Sequence, residues 1–160
     1  MLSVITHSGG QSVQLSGFLS DLVPGAVQGL IRDVLVLEPD VDDPQFIALC
    51  EDAGACRVDG GLDVAVRQAR SDLILLAAPG LRLDAFALDR LGRNLAELGA
   101  GAVSKGLALT GPTLPGLGFL ASRRGLVVSR RRLLELPAGS SLEATLARAS
   151  RGAPRLAIAG

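Results

Sequence analysis

The chain has 160 residues, 48% of them apolar, with a mean hydropathy of +0.40; it is long enough for a sizeable core and too apolar for intrinsic disorder. Its net charge is zero, but residues 1–80 hold 11 acids and 4 bases, and residues 81–160 hold 5 acids and 12 bases. That basic second half can attract phosphates, a membrane surface or an acidic protein partner, or can simply be a solvated face, while the four phenylalanines, with no Trp or Tyr, supply little to stack bases on, so no nucleic-acid partner is expected.

Strand-like and helix-like segments alternate. Residues 2–6 (LSVIT) form an apolar run with β-branched residues and read as a buried strand. A polar turn at 7–11 leads to Leu15, Phe18, Leu19 and Leu22 at helical spacing, with Pro24 and Gly25 expected to end that helix. Residues 34–38 (VLVLE) are a second buried strand, 39–44 an acidic turn, and Phe46, Ile47, Cys50 and Ala53 mark a helix running to Gly54. Residues 55–59 form a short strand. Gly60 and Gly61 open a helix that turns Ala65, Val66 and Ala69 inward, and 72–76 (DLILL) is a fourth strand ending in the turn 77–80. Leu88, Leu91, Leu95 and Leu98 mark an amphipathic helix, 102–109 a strand, and the Pro- and Gly-rich stretch 110–119 a loop. Residues 125–129 are strand-like, 130–136 a short helix or turn, Leu142, Leu146 and Ala149 a last helix, and 156–159 a final strand.

This alternation implies right-handed βαβ units around a mostly parallel sheet, in one α/β domain spanning residues 1–160. Such sheets bind ligands beyond the carboxyl ends of their strands, which directs attention to the turns at 7–11, 38–44, 59–63 and 77–84. None carries a dinucleotide or P-loop glycine signature. His7, the sole histidine, can be a general base or a polar loop residue. Glu38, Asp40, Asp42 and Asp43 can meet a ribose or a metal, or can cap and charge the next helix. Arg123, Arg124 and Arg130 can grip a diphosphate or lie on an exposed basic turn. Cys50 and Cys56 match no metal-ligand spacing and read as reduced structural thiols. No apolar run is long enough to span a bilayer and no leader is recognisable, so a cytoplasmic location is expected.

The order of these segments resembles the family 2 glycosyltransferases, with their three-layer, Rossmann-like GT-A fold. LSVIT resembles the family's opening strand, and VLVLEPDVDD its second strand and acidic turn. GGLDVAVRQARSDLILL resembles its Gly-rich turn, third helix and fourth strand, and GLVVSRRRLLEL a later strand and turn. The resemblance implies a nucleotide or nucleotide-sugar partner, with His7, Glu38, Asp40 and Asp59 as nucleotide-binding residues and Arg123, Arg124 and Arg130 as phosphate-binding ones. It also exposes two departures. Where the family carries Asp-x-Asp carboxylates for a divalent cation, this chain has Ala77-Ala78-Pro79-Gly80, so no metal cofactor is expected. Where the family carries a Glu-Asp pair whose Asp is the base, this chain has Ser140-Ser141-Leu142-Glu143, which leaves Glu143 as the catalytic candidate. The resulting expectation is a degenerate, non-catalytic domain that binds a nucleotide or a protein. The alternatives are an active transferase using Glu143, Glu38 or Asp40 in displaced roles, and a regulatory protein working through its basic half without a ligand.

Overall fold

The computed structural model describes residues 1–7, 12–37, 43–78, 81–102, 106–110, 123–137, 140–149 and 151–157, with side chains for all of these except 98–102, 123, 124 and 157. The elements are β1 (Leu2–His7), α1 (Ser12–Val27), β2 (Ile31–Leu37), α2 (Pro44–Asp52), β3 (Cys56–Val58), α3 (Leu62–Gln68), β4 (Leu73–Ala77), α4 (Ala85–Ala102), β5 (Leu107–Thr110), β6 (Arg123–Ser129), α5 (Arg130–Leu134), α6 (Leu142–Ala149) and β7 (Arg155–Ala157). The strands form one seven-stranded sheet in the order β3-β2-β1-β4-β6-β5-β7. Only β6 runs against its neighbours: it is antiparallel to β4 and β5, and the other pairings are parallel.

The three layers follow from the two-residue period of a strand. Val4, Leu75 and Val127 face one way and pack against Phe18 and Leu22 of α1 and Leu88 and Leu91 of α4. Their chain neighbours Ile5, Leu76 and Leu126 face the other way, against Ala65 and Val66 of α3, Leu133 of α5, and Leu142 and Leu146 of α6. Helix α2 joins the first face, where Phe46 and Cys50 pack with Val36, Leu15 and Leu19. The expected α/β sandwich with a mostly parallel sheet is the one observed, and the strands read at 2–6, 34–38 and 72–76 are all interior to it.

Two boundaries differ for physical reasons. Helix α1 runs through Pro24 and Gly25 to Val27. Gly25 is no helix stop: a Cβ there would come within 2.8 Å of Ile31 Cδ1, so the glycine allows close packing of α1 on β2. The actual exit is Gly29, in the left-handed region at φ 72°. Strand β2 starts at Ile31, three residues earlier than its apolar run, and takes in Arg32 and Asp33. Those charged residues find partners at the amino end of the sheet. The Ser3 hydroxyl and the Arg70 backbone N–H donate to the Asp33 carboxylate, and Arg32 donates to the Arg70 carbonyl. The Ser71 N–H in turn donates to Ser3 Oγ at 3.0 Å, so β1, β2 and the entry to β4 are stitched together below the core.

Candidate functional site

The carboxyl edge of the sheet is set by strand register. His7 lies beside Leu37, Leu37 beside Val58, and Ala77 beside Gly125. Thr6, a polar residue inside the apolar run of β1, is buried and donates its hydroxyl to the Ala77 carbonyl at 3.1 Å, tying the ends of β1 and β4 together. The sequence marked Thr6 only as a strand residue; its polarity at a fully covered position was the available signal, because a buried hydroxyl must find a partner.

His7 and Glu143 are brought into contact. His7 closes β1 on the α3–α6 face, and α6 begins at the same edge with Ser141 as its cap. Ser141 Oγ accepts from the Ala144 N–H at 3.1 Å, and its carbonyl accepts from the Thr145 N–H at 3.0 Å. Glu143, in the first turn, pairs its carboxylate with His7 Nε2. Its carboxyl pKa lies below the ordinary 4.5, held down first by a bond from its own backbone N–H, then by His7 and the Ser141 hydroxyl, against the opposing effect of partial burial. Glu143 is therefore an ionised carboxylate at the site edge near neutral pH. Nothing in the spacing of His7 and Glu143 along the chain signals this pairing, which depends on where α6 returns to the sheet.

The other candidates are divided by the fold. Asp59 follows β3 directly and is exposed at the carboxyl edge. The backbone of Arg123 and Arg124 also lies there, because β6 runs antiparallel and starts beside Thr110, at the end of β5. Arg130 is carried to the opposite end. It follows Ser129, which pairs with Leu73 at the start of β4. Its backbone N–H donates to the Asp72 carbonyl, and its guanidinium to the Arg67 carbonyl at 2.7 Å. Arg130 is thus separated from the other phosphate-side candidates. Glu38, Asp40 and Asp42 lie outside the described residues, as do Pro79 and Gly80. Asp43 caps α2 and accepts from the Gln45 N–H at 2.9 Å.

The segment after β4 is anchored away from the edge. Arg82 makes a two-point contact with Asp21 of α1, Nε at 2.6 Å and a terminal nitrogen at 3.0 Å, and the Leu83 N–H adds a third bond to the same carboxylate. Asp84 accepts from the Ala87 N–H at 2.7 Å and caps α4. The first carboxylate that follows β4 in sequence, Asp84, is therefore engaged in structure. Hydrogen bonds, chiefly from Arg82, hold the Asp21 carboxyl below its ordinary 3.8. Folded Asp21 binds its proton more weakly than the unfolded chain does. The clamp's contribution is then present above the unfolded value and lost as pH falls through the lower folded one. The melting temperature of Asp21→Asn should vary less between about pH 5 and pH 2 than that of the parent chain. Parallel acid limbs in the two melting profiles would remove the clamp from the stability account.

Among the described residues, no three His, Cys, Asp or Glu side chains gather closely enough to hold a cation, and Ala77 and Ala78 offer only methyl groups at the end of β4. Among the described residues, too, no helix is long and apolar enough to cross a membrane.

No family model matches the sequence, and no curated protein matches it. Solved structures do match. Glucosyl-3-phosphoglycerate synthase from Mycobacterium tuberculosis, in complex with phosphoglyceric acid, is similar with a TM-score of 0.72 at 14% identity, covering 99% of this chain and 70% of that one. The same enzyme with Mn2+, uridine diphosphate and glucosyl-3-phosphoglycerate gives 0.71 at 15% identity, over 99% and 70%. Mannosyl-3-phosphoglycerate synthase from Rubrobacter xylanophilus gives 0.67 at 14% identity, over 99% and 66%. These are GT-A-type nucleotide-sugar transferases, and the chain has their fold. The comparison corrects the expectation about metal. The M. tuberculosis enzyme is seen with uridine diphosphate together with Mn2+ in one structure and Mg2+ in another. Missing carboxylates in one turn therefore do not remove a divalent cation from consideration in this fold, since oxygen ligands can come from several segments and from the nucleotide itself.

Proposed function

We propose that this chain is a nucleotide-sugar-binding domain of GT-A fold that has lost transferase catalysis and serves as a binding or interaction module. The observation that carries this reading is the state of the carboxyl edge. The end of β4 presents the alanines Ala77 and Ala78, the next acid along the chain, Asp84, caps a helix, and Glu143 is turned onto His7. His7 and Asp59, with Glu38 and Asp40, are the candidates for binding the nucleotide, and Arg123 and Arg124 are the candidates for countering the charge of its diphosphate. The basic second half offers a surface to an acidic protein partner.

Calorimetric titration with uridine diphosphate and uridine-diphosphate-glucose, each with and without Mn2+, tests the binding half of this proposal. Measurement of uridine diphosphate release tests the catalytic half. The expected result is saturable nucleotide binding with release no faster than spontaneous hydrolysis. Absence of nucleotide binding under both metal conditions would overturn the reading.

A second reading, an active transferase with Glu143 as general base, is supported by the ionised state of that carboxylate at the site edge. It requires release above background that Glu143→Gln abolishes without weakening nucleotide binding.

A further inference from the structure

The pairing of His7 with Glu143 has no evident purpose in stability. The His7 Nε2 atom is buried, but Glu143 is 60% exposed at its side chain, and a pair with one partner this open to water contributes only about 0–1 kcal/mol. Glu143 also needs no partner to sit well in the first turn of α6, where the helix dipole and its own N–H already favour a carboxylate. The two partners differ in freedom. His7 is fixed by its strand, with β2 alongside in register at Leu37. Glu143 sits on a flexible side chain at an exposed helix start and can swing into water.

What the contact does is occupy His7. The imidazole Nε2 is buried at the carboxyl edge with no other hydrogen-bond partner among the described residues, and the group lying against it is an oxyanion belonging to the chain itself. A phosphate oxygen has the same demands as a carboxylate oxygen: a donor at hydrogen-bond distance and positive potential. We infer that Glu143 is an internal competitor for a phosphate-binding position on His7, so that a diphosphate must displace it in order to bind there. This inference rests on the nucleotide-binding reading above and adds to it a self-blocking contact that lowers affinity. On displacement, the Glu143 carboxylate regains water and keeps its own N–H, while His7 exchanges one oxyanion for another. The competition is thus between two anions of similar hydrogen-bonding chemistry, and removing the internal one must favour the external one.

Inorganic pyrophosphate and uridine diphosphate are the probes, titrated calorimetrically into the full chain and into Glu143→Gln and Glu143→Ala. Glu135→Gln serves as the charge control, since Glu135 pairs with Arg131 rather than with His7. Both Glu143 variants should bind pyrophosphate about three- to fivefold more tightly than the parent, the equivalent of the roughly 1 kcal/mol at most that the internal pair is worth, and Glu135→Gln should bind as the parent does. Adding His7→Gln to Glu143→Ala should cancel the gain. The inference is overturned by equal pyrophosphate affinity in parent and Glu143 variants, by the same gain in Glu135→Gln, or by no pyrophosphate binding in any variant. Uridine diphosphate separates the two proposals. Tighter pyrophosphate binding without any uridine diphosphate binding upholds the blocked phosphate position and removes the nucleotide reading. Uridine diphosphate binding that is indifferent to Glu143 does the reverse.

Discussion

Val36→Asp is expected to leave no cooperatively folded protein. Val36 is fully buried in β2, within the cluster formed with Leu15 and Leu19 of α1 and Phe46 and Cys50 of α2. The nearest carboxylate-tolerant arrangement in this strand is at Asp33, where a serine hydroxyl and a backbone N–H meet the charge. Nothing of that kind is present in the cluster around Val36, whose members are apolar apart from the Cys50 thiol. An unpaired carboxylate there must be either desolvated or protonated at a cost of several kcal/mol. A domain of this size has a total stability of roughly 5–15 kcal/mol, so the substitution removes a large part or all of it. Circular dichroism melting and size-exclusion chromatography provide the check. A soluble variant with the parent's cooperative transition would show that the α1–α2 face does not hold the sheet.

The framework was legible because strands buried on both faces must be largely apolar, and the runs at the heart of β1, β2 and β4 are. LSVIT, VLVLE and DLILL each lie within a residue or so of their observed ends, apart from the early start of β2. What composition concealed was charge with local partners: Arg32 and Asp33 look like turn residues until Ser3 and Arg70 are seen to receive them. The reversal of β6 was equally hidden, since an apolar run carries no sign of its direction, and the loop before it could equally have made a crossover. The same reversal decides part of the site. It brings the start of β6, with Arg123 and Arg124, to the carboxyl edge and sends Arg130 to the other end, though the three arginines are close in sequence. The His7–Glu143 contact was outside the reach of local pattern because its two halves come from the first strand and the last helix.

Gly125→Val should destabilise the chain and disturb the same edge. Gly125 stands opposite Ala77 in the β4–β6 ladder. A Cβ at this position would lie 3.2 Å from Leu109 Cδ1, 3.2 Å from Leu81 Cδ2 and 3.3 Å from Leu109 Cβ. Two effects oppose each other. Valine is the better strand former and restricts the unfolded chain, which favours the variant by up to about 1 kcal/mol. Against this, both leucines are buried to 1% exposure or less, and the γ carbons of valine reach further than the Cβ that already crowds them. Overpacking of this kind costs about 1–3 kcal/mol. Overpacking should win, because relief requires moving Leu109 on the neighbouring strand or Leu81 at the start of the segment leading to α4. Moving Leu81 strains the adjacent Arg82–Asp21 clamp as well. The expected outcome is a lower melting temperature for Gly125→Val, a smaller loss for Gly125→Ala, and weaker uridine diphosphate binding in the valine variant through displacement of the β4 end. A valine variant at least as stable as the parent would mean that Leu81 and Leu109 have room to repack, and that the glycine is not required for β4, β5 and β6 to close together beneath the site.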